Sequence, residues 1–192
     1  MKKLLSLLTL LSVISVGVYA QGVSGGVKLG LNLANQTISA EGMTVSPSFR
    51  TSIHAGGYVT VMVSEKFGVQ PEILYSGQGA KNGNFAFKAN YITVPVLLRW
   101  NFTPLFSIHA GPQMGILMSA KEEFNGESED VKDDYKSTDI GIAAGLGIDL
   151  PMGLNFGFRF VKGMSNIVDS DDYKQKNYAL QFSVGYKLFG KK

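Results

Sequence analysis

The stretch Tyr91-Ile92-Thr93-Val94-Pro95-Val96-Leu97-Leu98-Arg99-Trp100-Asn101-Phe102 decides the fold. Every second residue gives Ile92, Val94, Val96, Leu98, Trp100 and Phe102, a wholly apolar row. The intervening row is Tyr91, Thr93, Pro95, Leu97, Arg99 and Asn101, which is mostly polar. A two-residue period of this kind belongs to a β-strand whose faces meet different surroundings.

The same period recurs over eight segments, approximately 23–33, 52–63, 66–78, 90–102, 105–118, 138–150, 153–163 and 176–188. Each is long enough for a tilted membrane strand of ~9–11 residues. The connections alternate between two classes. Ser64-Glu65, Thr103-Pro104 and Pro151-Met152 read as tight turns, whereas 34–51, 79–89, 119–137 and 164–175 read as long solvated loops. Short turns at one end and long loops at the other, with an even strand number, are the pattern of bacterial outer-membrane barrels.

Met1-Lys2-Lys3, the apolar run Leu4–Val18 and Tyr19-Ala20-Gln21 read as a signal peptide over residues 1–20, cleaved after Ala20. The alternative, a membrane anchor, fits less well, because the run is shorter than ~20 residues and Ser6, Ser12 and Ser15 dilute it. The remainder, 21–192, suits one domain. The chain has no Cys, which excludes disulfides and lipid attachment through an N-terminal Cys. Of 18 Lys+Arg, Lys2 and Lys3 fall in the leader, leaving 16 against 15 Asp+Glu. So balanced a chain gives no case for nucleic acid binding.

Alternation alone does not say which face points inward, and a soluble lipocalin-like barrel has the same period. Three features favour apolar-outward. The apolar rows are nearly free of charge, with Lys162 near a strand end, where it can snorkel. The opposite rows are rich in glycine (Gly26, Gly30, Gly56, Gly111, Gly115, Gly141), as a narrow lumen requires. Aromatics gather toward strand ends, with Phe67, Trp100, Phe102 and Phe106 by the short turns and Tyr75 and Tyr178 by the long loops, resembling interfacial girdles. The fold class is therefore all-β: an eight-stranded antiparallel up-and-down transmembrane barrel. Pro71, Pro95 and Pro112 predict local bulges, because proline cannot donate to a ladder.

This orientation fills the lumen with Lys28, Glu72, Arg99, His109, Asp139, Asp149, Arg159 and Lys187, joined by Tyr58, Gln70, Gln113, Asn155 and Gln181. Buried charges must be paired, and the hairpin from 66 to 102 predicts Glu72 beside Arg99. The network is read as a structural staple; the rival is a gated pathway for small solutes. Ser107 and His109 point the same way, with Asp139 or Asp149 on the next strand, which raises a nucleophile reading. No oxyanion site accompanies them, so no enzyme, catalytic residue, metal or cofactor is assigned. The acidic run Glu122, Glu123, Glu127, Glu129, Asp130, Asp133 and Asp134, with Asp169, Asp171 and Asp172, reads as solvated loop. Its rival reading is calcium binding or divalent bridging to lipopolysaccharide, although the spacing fits no EF-hand.

Pro71-Glu72-Ile73-Leu74-Tyr75-Ser76 followed by Tyr91-Ile92-Thr93-Val94-Pro95-Val96-Leu97-Leu98-Arg99 resembles the PorT-like family of small outer-membrane barrels, often called "porin family" proteins. Gly26-Val27-Lys28-Leu29-Gly30-Leu31-Asn32 is similar to that family's first strand, and Ser183-Val184-Gly185-Tyr186-Lys187-Leu188-Phe189 to its last. The resemblance implies a monomeric eight-stranded barrel in the outer membrane, one branch of the family being implicated in secretion. Such barrels commonly end on an aromatic residue, whereas here Gly190-Lys191-Lys192 follow Phe189. The partners expected are membrane lipid, lipopolysaccharide and envelope or secretion proteins. The expected role is structural or interactive, through the long loops.

Overall fold

A computed structural model describes residues 22–40, 43–170 and 173–190. The expected signal peptide, Asp171 and Asp172 lie outside the described residues. In chain order the strands are β1 (Gly22–Ala40), β2 (Met43–Val45), β3 (Ser48–Met62), β4 (Phe67–Asn82), β5 (Phe85–Asn101), β6 (Phe106–Phe124), β7 (Glu127–Asp130), β8 (Thr138–Asp149), β9 (Leu154–Gly163) and β10 (Tyr173–Phe189). The long strands β1, β3, β4, β5, β6, β8, β9 and β10 pair antiparallel in that order, and β10 pairs back onto β1. Short β2 adds to β1 and β7 to β6. Closure leaves the main ring without an edge, so its backbone groups pair within the wall, as hydrocarbon requires.

The faces divide as the alternation demands. Leu98 is 70 % exposed and Ile73 64 %, while Tyr91 and Leu97 on the opposite row are fully buried. Phe67 stacks on Trp100 at 6.1 Å, Trp100 meets Phe102 at 6.1 Å and Phe102 stacks on Phe106 at 6.1 Å, forming an aromatic band beside the tight turns. At the other end Tyr178 meets Phe49 edge-on at 5.8 Å. The turns are closed by side chains as well as backbone: the Phe67 amide donates to Ser64 Oγ (3.0 Å) and the Phe106 amide to Thr103 Oγ1 (2.9 Å).

The lumen glycines answer to close approach of neighbouring strands. A β-carbon at Gly30 would stand 2.0 Å from the Phe182 carbonyl oxygen, and one at Gly111 2.0 Å from that of Val96. A small, strongly coiled ring brings backbones this near on its concave side.

Two expectations are corrected. No register shift accompanies the prolines. Pairing lapses near Pro71 (between Tyr58↔Glu72 and Val61↔Val69), near Pro95 (between Pro71↔Val96 and Leu74↔Thr93) and near Pro112 (between Pro95↔Gln113 and Leu98↔Ala110), then resumes in the same register. A missing donor removes a ladder bond without inserting a residue. The shifts lie elsewhere, between Asn90 and Tyr91, between Gly25 and Gly26, and between Phe49 and His54.

Second, the long connections are mostly ordered sheet. β4 and β5 continue to a two-residue turn at Gly83-Asn84, with Gly83 at φ +58°. β6 runs to Phe124 and returns as β7. Residues 164–168 fold inward, burying Ile167 and Val168. The bridge Tyr135↔Val168 and the bond from the Lys136 amide to the Ile167 carbonyl (2.8 Å) join two of these connections over the barrel mouth.

Candidate functional site

Glu72, projecting inward from β4 and fully buried, is the centre of the lumen. Its carboxylate accepts hydrogen bonds from Lys28 Nζ (2.8 Å), Gln70 Nε2 (2.7 Å), Arg159 Nη1 (2.9 Å) and Arg159 Nη2 (2.8 Å). Lys28 also lies over the Tyr58 ring, 5.5 Å from its centroid. The bidentate guanidinium fork and two further donors satisfy the acceptor sites of the carboxylate, the condition under which a buried charge is tolerated.

On the loop side of this centre Asn32 Nδ2 donates to Ser76 Oγ (2.9 Å) and to the Gly77 carbonyl (2.8 Å). Its Oδ1 accepts from Gln181 Nε2 (3.1 Å) and lies 2.7 Å from His54 Nδ1. Because that oxygen only accepts, His54 carries its proton on Nδ1. Higher still, Asp139 accepts from Asn177 Nδ2 (2.9 Å) and Ser165 Oγ (2.8 Å), and Asn177 also reaches Tyr91 Oη (3.2 Å). Gln175 Nε2 donates to Gln36 Oε1 (2.8 Å) at the same level. Gln113 is buried on the same face.

Above these polar layers sits an apolar cap. Phe87, Ala89, Tyr91, Leu117 and Ala120 cluster, with Val131 and Tyr135 packed against them. The Tyr135 ring lies 4.6 Å from that of Phe87, and its hydroxyl donates to Glu122 Oε1 (3.4 Å). Burial, then the nearby Glu122 carboxylate, pushes the Tyr135 phenol above its ordinary range. On the outer side of the same hairpins Lys88 pairs with Glu123, and that hydrogen-bonded ammonium holds the Glu123 carboxyl below its ordinary range.

The expected Glu72–Arg99 pair does not form. Arg99 faces Gly68 across the β4–β5 ladder and pairs instead with Asp149 of β8. Its Nη1 donates to Gln70 Oε1 (3.0 Å), so Gln70 links it to Glu72. Arg99, Asp149 and Lys187 are half-buried and line a vestibule of about 230 Å³ at the tight-turn end. Asn155 Nδ2 donates to Tyr58 Oη (2.9 Å) just above it. Deeper, beside Arg99, His109 and Asn155, the remaining space is about 20 Å³, room for one water.

Ser107 and His109 share the lumen face without touching as base and nucleophile. The Ser107 hydroxyl donates to the Gly147 carbonyl (3.5 Å), and His109 Nε2 accepts from Arg159 Nε (3.3 Å). The nitrogen a general base would use is therefore occupied by a cation's donor, and the proton sits on Nδ1, which has no partner among the described residues. The acidic residues of 122–134 do not converge. Among the described residues no group of three or more His, Asp or Glu is placed to hold a metal ion. The diametric contacts through Glu72 and Asn177 escaped sequence reasoning, because alternation reports a face but not what lies across the bore.

The model of the family described as "Outer membrane protein beta-barrel domain" matches residues 19–169. Among curated proteins no sequence match is found. The structure is similar to that of Ail, the attachment invasion locus protein of Yersinia pestis (TM-score 0.51, 16 % identity, 86 % of this chain and 98 % of that one). It is also similar to Neisserial surface protein A (TM-score 0.57, 12 % identity, 88 % of this chain and 100 % of that one). At such identities the likeness speaks for the fold. An apolar outer wall, a polar lumen and a family model spanning most of the sequence agree: the chain belongs to the outer membrane protein beta-barrel domain family and resides in the outer membrane.

Proposed function

We propose that this protein is a closed, non-conducting and non-enzymatic barrel that holds an interaction surface above the outer membrane. One observation carries the reading: Glu72 and Arg159 bond across the bore beside a residual cavity of about 20 Å³. A permeant solute would have to break buried charge pairs at the middle of the lumen. The rival small-solute channel needs an open path there.

The surface is the blade formed by β4 to β7 beyond the apolar belt. Phe85 and Phe124 are cross-strand partners at its tip, and Phe124 is 60 % exposed where no acyl chain covers it. Asn84 Nδ2 donates to Asn125 Oδ1 (2.9 Å), tying the two hairpin tips together. The outer strand β7 carries Glu127, Glu129 and Asp130, so the blade offers an aromatic tip with an acidic edge. The PorT-like resemblance supports a partner among envelope or secretion proteins.

Planar-bilayer recording of the purified protein tests closure, with no steady open state expected; a stable single-channel conductance favours the channel. Photo-crosslinkers at Phe85 and Phe124 in intact cells test the surface. They are expected to capture a discrete protein neighbour, and capture of lipid alone counts against the blade.

A further inference from the structure

We infer that the outer wall at β9 and β10 holds the phosphorylated headgroup of an outer-leaflet lipid. Lys162 on β9 and Lys174 and Lys176 on β10 line one cleft of about 480 Å³, together with Phe160 and Tyr178. The register fixes their spacing. Lys162 pairs with Tyr178, so Lys176 is its diagonal neighbour, about 7–8 Å away. Lys174 is two residues further along the same face, about 7 Å beyond. Three lysines thus line one volume the size of a phosphorylated sugar.

Two observations select a lipid over a free anion. First, the site is amphipathic in the required direction. Below the lysines the same wall presents Phe160, Leu180 and Phe182, the start of the apolar belt, so acyl chains and phosphate fit one continuous track. Second, the charge meets no acidic partner among the described residues. Lys88 on the opposite wall is neutralised by Glu123, whereas among the described residues none of these three lysines has an ion-pair partner. Their neighbours are the hydroxyls of Thr37, Ser39 and Thr44, which add donors without charge. A basic cluster at the membrane interface attracts anionic headgroups.

The proposal is independent of any protein that docks on the blade. The test is native mass spectrometry of the detergent-solubilised full chain titrated with diphosphorylated lipid A, its dephosphorylated form and inorganic phosphate. The wild type is expected to retain the diphosphorylated lipid and release the dephosphorylated one. K162Q/K174Q/K176Q is expected to bind about 100-fold more weakly, at roughly fivefold per lysine, and K162R/K174R/K176R to bind as wild type. K81Q/K121Q, elsewhere on the rim, serves as the control and is expected to change nothing. Unchanged retention in the triple Gln variant, or equal weakening in the control, overturns the site. Displacement of the lipid by millimolar inorganic phosphate overturns the choice of lipid. Heat-modifiable gel mobility verifies that each variant is folded.

Discussion

Glu72 on β4 and Arg159 on β9 meet across the barrel through bonds of 2.8 and 2.9 Å, with three strands between them either way round the ring. Tyr91 on β5 and Asn177 on β10 repeat the relationship one level higher. Walls joined through their centre resist collapse.

Glu72→Gln is expected to destabilise the barrel by about 3–5 kcal/mol, because it leaves Lys28 and Arg159 buried with their charges uncompensated. Urea unfolding in lipid vesicles reads this directly. The apolar triple substitution Lys28→Met, Glu72→Leu, Arg159→Met removes every charge of this cluster at once and is expected to cost far less than the single change. Equal losses in the two variants would refute the account of the lumen.

Gly30→Ala and Gly57→Ala are chemically identical changes with different surroundings. The new β-carbon would lie 2.0 Å from the Phe182 carbonyl at the first site and 3.5 Å from the Gly26 carbonyl at the second. The first is expected to lose about 1–3 kcal/mol, the second about 0.5 kcal/mol or less. Folding yield into vesicles gives the same order.

Leu98 stands near the middle of the β5 apolar row and is 70 % exposed. Leu98→Arg is expected to cost about 2–4 kcal/mol in a bilayer. In a soluble barrel an arginine on an exposed position would be nearly neutral, so the same unfolding experiment tests the orientation of the wall.

Tyr135 gives a pH signature. Its phenol is raised in the folded state, so the neutral form is favoured there. The associated stability is fully present below the unfolded value of about 10 and falls as pH climbs from that value through the raised one. Tyr135→Phe is expected to flatten this alkaline fall, and difference absorbance of tyrosinate against the variant measures the titration itself.

The strands and their facing were legible because lipid and lumen impose opposite chemistry on alternate residues, as in the row from Ile92 to Phe102. Past the membrane that contrast fades. Around Gly77–Asn82 and Ser119–Phe124 both faces carry polar groups, and strand continues where the sequence suggests loop. The partner of Glu72 was hidden for another reason. The expected hairpin register missed, since Val69 rather than Glu72 faces Leu98, and the partners Glu72 does have lie across the axis, where contact depends on how all eight strands are staggered. The cap could have been glimpsed from Val131, Tyr135, Ile167 and Val168, apolar residues in otherwise hydrophilic connections.

The rise of the sheet beyond the belt also sets a distance. From Asn90 down to Phe85 and from Ser119 up to Phe124 the backbone stays paired, and six residues at ~3.4 Å each give a mast of about 20 Å. At that end of the barrel an approaching molecule meets the Phe85–Phe124 tip before it meets the lipid-facing wall.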